Sequence, residues 1–406
     1  MFATAPPRLE RMPTSDARPR LWTAVFTSLT VGNFGVAMVF YLLTATMSAW
    51  ALKDLGASQA QAGLVGTAWF LGAMVARLFA GQALLRLGER AVVLGSLVGM
   101  VVGSLLYFLC NSVLLLLVLR FAHGVAFGVA ATGIAGAVLA RVPVHRRGEG
   151  SGWFTFGLAV ASGLGPMLGS ILQRGLGGQK GILTSAVGFA ALALVLVLAV
   201  SRRLKGRPSQ APARAHRLSD YLDATVLPIA LVVSLCALPF GAVLTLMAPY
   251  AQQIGLPSAA GAYFLAYAIV IAVSRPIAGI LQDRHGDTSI MVPIIVAMIA
   301  GLALTATATT YWTLVAGGAL LGLGYGTLVP AGQTVALNLV GSSRAGIGVG
   351  SYFLFVDAGT GIGPFVLGAL VEPLGYRGAF WVGLCFSVAG LLAMLALRRR
   401  LSAAAR

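Results

Sequence analysis

Two stretches of the sequence decide the fold: RLFAGQALLRLGER at residues 77–90 and RPIAGILQDRHGDT at residues 275–288. The second repeats the Arg-x-x-Ala-Gly of the first at an offset of 275 − 77 = 198 residues. The same offset relates, without a gap, Gly124 and Gly128 to Gly322 and Gly326, and Gly163, Gly165 and Pro166 to Gly361, Gly363 and Pro364. This shared register predicts two homologous halves. Parallel repeats in a membrane protein suggest a binding site between the halves and rocking about it.

The composition places these repeats in a membrane. Of the 406 residues, 58% are hydrophobic and 10% are charged, whereas a soluble domain has about 25% charged residues. Twelve apolar segments, each close to the ~20 residues of a transmembrane helix, lie at 22–50, 60–80, 91–110, 113–140, 150–172, 182–201, 223–251, 259–281, 290–308, 312–339, 347–370 and 378–397. The prediction is an all-α membrane protein with 12 transmembrane helices in two pseudo-symmetric six-helix bundles.

The domain boundaries follow from the polar stretches. They predict a disordered cytoplasmic tail at 1–20, an N-terminal bundle at 21–201, a cytoplasmic linker at 202–222, a C-terminal bundle at 223–398 and a cytoplasmic tail at 399–406. Basic residues concentrate in the loops on the side of the termini, while Lys53, Arg174, Lys180 and Arg377 mark the other side. This asymmetry predicts cytoplasmic termini. An excess of Arg over Lys suggests a bacterial genome, and hence the inner (plasma) membrane.

Several classes of function are disfavoured. The net charge of +17 is explained by topology, and no basic patch interleaved with aromatic residues suggests nucleic-acid binding. The four histidines and the sparse acids show no metal-ligand spacing and no catalytic set, so we expect neither an enzyme nor a metal site. The expected partners are the lipid bilayer and a small-molecule substrate, with the protein as a monomer.

Three motifs resemble those of the major facilitator superfamily. In the loop between helices 2 and 3 the motif residues are Gly81, Arg86, Gly88 and Arg90, with Leu85 in place of the usual Asp; the second-half copy has Gly279, Asp283, Arg284 and Gly286. In helix 4 they are Arg120, His123 and Gly124, with His in place of Gln. In helix 5 they are Gly152, Ala161, Gly165, Pro166, Gly169 and Ser170, and Gly363 and Pro364 are second-half counterparts.

The helix-5 motif is typical of exporters in the drug:proton antiporter branch. The resemblance therefore implies a secondary active transporter, driven by the proton gradient without a cofactor, that exports small amphipathic organic molecules by alternating access and confers drug resistance. Two alternatives stay open: export of an endogenous siderophore or opine metallophore, and uptake of a sugar or metabolite. The helix-5 glycines and proline are expected to form a packed gate between the halves. Arg77, Arg86, Arg90 and their second-half counterparts, which include Arg275 and Arg284, lie near the inner ends of helices and are expected either to form a charge latch or simply to anchor the topology.

Three ionisable residues are candidates for proton coupling or substrate binding. Asp357 is the only acid well inside a predicted helix; it is a proton carrier, a counter-charge for a cationic substrate, or a structural partner of an arginine. Arg120 lies inside helix 4, where it binds an anionic group, takes part in proton coupling, or caps backbone carbonyls. His123 lies three residues further on, on the same face.

The resemblance also implies that helices 1, 4, 7 and 10 line the cavity. The residues that match are Asn33, Phe40, Tyr41, Thr44, Phe127, Phe240, Tyr325 and Gln333. The four from helix 1 share a helix face. An aromatic wall with a few amides and hydroxyls suits an amphipathic organic molecule, although each aromatic residue is equally compatible with plain helix packing.

Overall fold

A computed structural model describes residues 21–139, 141–142, 147–175, 177–206, 222–285, 287–340 and 345–404. Within these ranges the chain forms eleven long helices and no strand. Their bounds are α1 Ala24–Asp54, α2 Gln59–Leu106, α3 Val113–Leu139, α4 Arg147–Arg174, α5 Gly178–Val200, α6 Leu227–Gln253, α7 Ala259–His285, α8 Asp287–Thr307, α9 Tyr311–Val340, α10 Ala345–Ala369 and α11 Val371–Ala404.

The eleven helices carry twelve spans, which we number along the chain, because α2 contains both span 2 (Gln59–Ala80) and span 3 (Arg86–Leu109). Eleven of the described spans are long and apolar enough to cross a membrane, and the shorter apolar stretch Ala259–Arg275 is span 8. The residues between spans 2 and 3, predicted as a loop, continue the helix except at Gly88, where φ is 82° and ψ is 161°. Only glycine adopts this conformation readily, so Gly88 breaks α2 without a loop.

The predicted domain boundaries fall partly outside the described residues. The tail 1–20 and residues 207–221 of the linker lie there. At the other end of the chain α11 continues to Ala404, so residues 399–404 of the predicted tail are helical.

Equivalent positions of the sequence repeat make equivalent contacts in the structure. A methyl group on Gly124 would collide with the carbonyl oxygen of Trp69, and one on Gly322 would lie 2.5 Å from that of Tyr267. Both members of each pair are related by the 198-residue offset. Gly177 and Gly375, also related by it, both have a positive φ, of 95° and 70°. The two six-helix halves are therefore confirmed as structural repeats.

The halves meet along two seams. In the 2/11 seam, span 11 presents Asp357, Gly361, Pro364 and Gly368, which recur every three or four residues on one face. Gly361 contacts Phe70 of span 2, and Pro364 and Gly368 contact Gly63 of the same span. In the 5/8 seam, Gly163 contacts Ala268, and a methyl group on Gly261 would lie 3.4 Å from the Cβ of Ser170. Small residues let the helix backbones approach closely along both seams.

The two central helices show where the seams open. In span 1, residues 42–48 are buried, while Thr23, Thr27 and Val31 are exposed at four-residue spacing. In span 7, residues 236–247 are buried, while Ala224, Pro228 and Leu231 are exposed. The exposed parts lie toward the end of the molecule that carries both termini, here called the terminal end, and the opposite end is the distal end. The halves pack together at the distal end, through contacts such as Gly63 with Pro364 and Gln59 with Tyr376. The less covered region between them toward the terminal end is called the cleft below.

Glu89 ties the terminal ends of spans 3, 4 and 6 together. Its Oε2 lies 2.8 Å from Nη2 of Arg141, which also donates to the carbonyl of Arg203. The backbone N–H of Lys205 donates to the same carboxylate oxygen at 3.2 Å. These contacts brace the N-terminal half internally and do not cross to the other half.

Candidate functional site

An ion pair crosses the 2/11 seam at the level where the cleft begins. The Nε atom of Arg77 lies 2.7 Å from Oδ2 of Asp357, and the two side chains are 26% and 16% exposed. The contact is a close charge pair rather than an aligned hydrogen bond. The guanidinium of Arg77 also lies 5.8 Å from the ring centre of Phe353, which is one helical turn before Asp357 on span 11. Pairing with an arginine was one of the three roles considered for Asp357. The structure shows such a partner, Arg77, and it belongs to the other half.

Arg275, the repeat counterpart of Arg77, crosses the 5/8 seam in a different way. Its Nη1 donates to the carbonyl oxygen of Thr155 on span 5, and its Nε donates to that of Gly326, both at 3.3 Å. The side chain is half-buried. The 2/11 seam is therefore crossed by a charge pair, and the 5/8 seam by a bond from Arg275 to a neutral carbonyl of span 5; the bond to Gly326 stays within the C-terminal half.

Each half contains an equivalent group of three aromatic rings. In the first half Phe40 stacks on Phe127 with centroids 4.9 Å apart, and Trp69 lies 5.4 Å from Phe127. In the second half Phe240 stacks on Tyr325 at 4.0 Å and on Tyr267 at 5.6 Å. Four of the predicted cavity aromatics therefore form two stacked pairs, and Trp69 of span 2 and Tyr267 of span 8 complete each pair to a trio.

Tyr41 connects the trios to the charged residues. Its ring lies 4.6 Å from that of Phe40. Its hydroxyl interacts electrostatically with both Arg275 and Asp357. Tyr41 is only partly buried, whereas Phe40, Phe127, Phe240 and Tyr325 are buried. Tyr41 is therefore the member of the predicted aromatic wall that meets the cleft.

Arg120 lies inside the N-terminal half, away from the cleft. It is 0% exposed. Its Nε donates to the carbonyl of Val65 at 3.1 Å and its Nη2 to the hydroxyl of Thr44 at 3.4 Å, while the guanidinium lies 4.6 Å above the ring of Trp69. Among its predicted roles, these contacts correspond to a structural arginine that caps a backbone carbonyl.

His123 packs in the same buried group. Its ring lies edge-on to Trp69 with centroids 4.7 Å apart, and Nδ1 lies 3.3 Å from the hydroxyl of Tyr107. Nε2 is buried without a hydrogen-bond partner. The predicted common face of Arg120 and His123 is thus present, and both side chains meet the ring of Trp69.

The remaining cavity candidates lie around the trios. Thr44 is fully buried and is the acceptor for Arg120. Asn33 is buried and Gln333 is half-buried. They lie seven and eight residues from Phe40 and Tyr325, about two helical turns toward the terminal end.

Of the residues predicted to form the gate and the latch, some pack within one half, one packs across a seam, and others are exposed. Gly165 and Gly169 contact span 1 of their own half, at Tyr41, Leu42 and Thr46, and Gly363 likewise contacts Leu238 of its own half. Pro166 belongs to the same stretch of span 5, whereas Pro364 crosses the 2/11 seam to Gly63. Arg86, Arg90 and Arg284 are exposed. Gly81, Gly152, Gly279 and Asp283 fall in described helices, and Gly286 lies outside the described residues.

The structure thus corrects where the halves touch. Gly165 and Gly169 pack within the N-terminal half, and Gly163, two residues before the Gly-Pro pair, makes the contact across the 5/8 seam. The sequence reasoning placed Arg77 and Arg275 at inner helix ends, as members of the expected charge latch, and it gave Trp69 and Tyr267 no role. The offset of 198 residues could have drawn attention to the two aromatic residues, because it relates Trp69 to Tyr267.

A multi-pass membrane protein whose two repeats enclose a cleft open at one end has the architecture of a secondary transporter. The chain belongs to the Major Facilitator Superfamily, whose family model matches residues 29–275 and 229–406. An uncharacterized MFS-type transporter of Pseudomonas aeruginosa is 27% identical over 408 residues, which cover 96% of each chain. The multidrug resistance protein MdtG of Dickeya zeae is 25% identical over 90% of this chain and 92% of its own.

Solved structures agree on the fold. The crystal structure of the nucleoside transporter NupG matches with a TM-score of 0.75 at 15% identity, over 92% of this chain and 99% of that one. A peptide transporter POT matches with a TM-score of 0.75 at 15% identity, over 93% of this chain and 94% of that one. The predicted superfamily and fold class are therefore confirmed.

Proposed function

We propose that this transporter is a proton-coupled exporter of small amphipathic organic molecules, with the Arg77–Asp357 pair as its coupling element. The observation that carries the proposal is the position of that pair, on the 2/11 seam where the packed part ends and the cleft begins. The multidrug resistance name of the MdtG relatives and the helix-5 motif support export. The distribution of basic residues supports a cytoplasmic terminal end, in a bacterial inner membrane.

The pair links protonation to the contact between the halves. When Asp357 is ionised, its carboxylate attracts Arg77 across the seam; when it takes up a proton, that attraction is lost. Both side chains are partly exposed to the cleft, so a proton can reach the carboxylate from the side to which the cleft opens. In an exporter, substrate binds while the cleft is open to the cytoplasm, and protonation of Asp357 from outside favours the return.

Transport in proteoliposomes tests this proposal. The purified protein is reconstituted with a pH-sensitive dye, a proton gradient is imposed, and proton flux is recorded on addition of ethidium, 2-naphthoate or 2-naphthamide. We expect substrate-driven proton flux in the wild type and its loss in Asp357→Asn and Arg77→Gln. Exchange of labelled substrate without net proton movement is retained in Asp357→Asn, because binding and rocking do not need the proton.

The matched control is Glu372→Gln, which removes an exposed acid at the distal end. It should keep the wild-type proton flux. Unchanged proton flux in Asp357→Asn would show that another group carries the proton.

A further inference from the structure

The two seam arginines are equivalent by the repeat but differ in their counter-charge. Arg77 has the carboxylate of Asp357 at 2.7 Å. Arg275 has two backbone carbonyls, of Thr155 and Gly326, each at the long distance of 3.3 Å. A carbonyl dipole accepts a hydrogen bond but carries no net charge, so it does not neutralise a guanidinium.

The missing counter-charge can be located by the same offset. The residue on span 5 that corresponds to Asp357 is Ala159, because 357 − 198 = 159. Ala159 is buried, and Thr155, which accepts from Arg275, lies one helical turn before it. Where the 2/11 seam has a carboxylate, the 5/8 seam therefore has a methyl group.

Among the residues that the structure describes, no acid is recorded in contact with Arg275. Asp357 is the only acid well inside any apolar segment of the sequence, and it is engaged with Arg77. Asp283 follows Arg275 by eight residues, which is about 12 Å along a helix. Arg275 ends the apolar stretch of span 8 and is half-buried between the helices. A guanidinium in such a position without a counter-charge is costly, and ionisable residues within membrane-spanning helices mark sites of ligands or ions.

The surroundings of Arg275 suit an organic molecule with one charged end. The half-buried side chain acts electrostatically on the hydroxyls of Tyr41 and Tyr267. Tyr267 stacks on Phe240, which continues the aromatic wall toward Tyr325. A cation beside hydroxyls and aromatic faces provides one polar anchor and an apolar surface for the remainder of a ligand.

We propose that Arg275 binds the carboxylate of the transported molecule, which takes the position that Asp357 occupies in the other seam. The substrates are then amphipathic organic carboxylates. This proposal rests on the transport function proposed above and assigns its substrate class. Because the guanidinium is planar and presents paired N–H donors, it can hold a carboxylate through two parallel bonds. A chelating molecule with several carboxylates belongs to the same chemical class.

Equilibrium binding to the full-length protein in detergent tests the proposal, using three ligands with one ring system. These are 2-naphthoate, the neutral 2-naphthamide and the cationic 2-naphthylmethylammonium, measured by isothermal titration calorimetry. We expect 2-naphthoate to bind at least tenfold more tightly than the other two. Arg275→Gln should abolish this preference while leaving 2-naphthamide binding unchanged, and Arg275→Lys should retain part of it.

Ala159→Asp provides a test that keeps Arg275 in place. It supplies the carboxylate that the repeat lacks, so the new acid should compete with the ligand and remove the preference for 2-naphthoate. Ala159→Asn, which has nearly the same size without the charge, is the matched control and should keep the preference. Lys53→Gln removes an exposed basic residue at the distal end and should not alter binding.

Three results would overturn the proposal: equal affinity of the wild type for all three ligands, preference for the cation, or retention of the preference in both Arg275→Gln and Ala159→Asp. Failure of proton coupling is a separate result. The binding preference is measured without a gradient, so it persists even where Asp357→Asn shows unchanged proton flux.

Discussion

At the scale of single residues, three arginines within the helix bundles differ in the groups that stabilise their charge. Arg77 has an acid, Arg120 has a backbone carbonyl and the face of Trp69, and Arg275 has two carbonyls at the edge of the cleft. The guanidinium is more weakly hydrated than an ammonium and stacks on aromatic rings. Of the three, Arg77 and Arg275 are partly exposed and Arg120 is fully buried. Our proposals therefore place transport chemistry at Arg77 and Arg275 and a structural role at Arg120.

This structural role predicts that Arg120→Lys lowers stability without altering binding. Lysine cannot both reach the carbonyl of Val65 and cover the ring of Trp69. Loss of a charged hydrogen bond and part of a cation–π contact should cost about 3 kcal/mol. Thermal unfolding in detergent measures the change, and titration with 2-naphthoate checks that its affinity stays at the wild-type value.

The control for this experiment is Arg202→Lys, because Arg202 is exposed. It should unfold at the wild-type temperature. If Arg120→Lys were as stable as the wild type but bound 2-naphthoate at least tenfold more weakly, Arg120 would be a substrate residue instead.

At the scale of helices, glycine positions determine which spans touch. Two of the glycines in span 4, Gly124 and Gly136, have opposite surroundings. A methyl group on Gly124 would meet the backbone of Trp69, whereas one on Gly136 would have no atom within 4 Å. The first glycine is therefore required for the close approach of spans 2 and 4, and the second has no packing requirement.

The pair predicts opposite effects of the same substitution in the same helix. Gly124→Ala should lower the free energy of unfolding by about 3 kcal/mol, because the methyl group meets rigid backbone and overpacking is costly. Gly136→Ala should leave stability unchanged or raise it by up to about 1 kcal/mol, because alanine favours the helix. Thermal melting of the two variants side by side measures both. Equal melting temperatures would contradict the assigned contact.

The sequence predicted the helices and their repeat more completely than the contacts between halves. The twelve segments and the 198-residue register follow from hydropathy and from glycine spacing. Gly165 and Gly163 illustrate which contacts the sequence did not predict. They are two residues apart on span 5, so Gly165 faces span 1 and Gly163 faces span 8. Spacing gives the angle between two residues on a helix, but not which neighbour that angle faces.

The same limit applies to the candidate site. Asp357 was identifiable as the only acid inside a helix, and the aromatic wall was identifiable from the resemblance. The partner Arg77 was not, because a pair across two halves depends on how the bundles pack against each other. Comparison of Asp357 with Ala159 shows in the sequence that the halves differ at this position, but not that Arg275 contacts Thr155 across the 5/8 seam.

At the scale of the whole molecule, the seams are packed at the distal end and the cleft is open at the terminal end. Ser170 and Gly261 lie on opposite halves at the distal end of the 5/8 seam. The Cβ of Ser170 is 3.4 Å from the position of a Cβ on Gly261. This separation is close to the 3.5–4.5 Å found between the Cβ atoms of a disulfide.

A disulfide across this contact should therefore lock the transporter with its distal end closed. In a background with Cys110, Cys236 and Cys385 replaced by alanine, S170C/G261C should cross-link on oxidation, stop transport and recover on reduction. The locked protein should still bind 2-naphthoate, because the cleft remains open at the terminal end. Each single variant, oxidised in the same way, should transport normally. Transport that continues in the fully cross-linked protein would mean that the distal ends do not need to separate, which would exclude alternating access by rocking at the 5/8 seam.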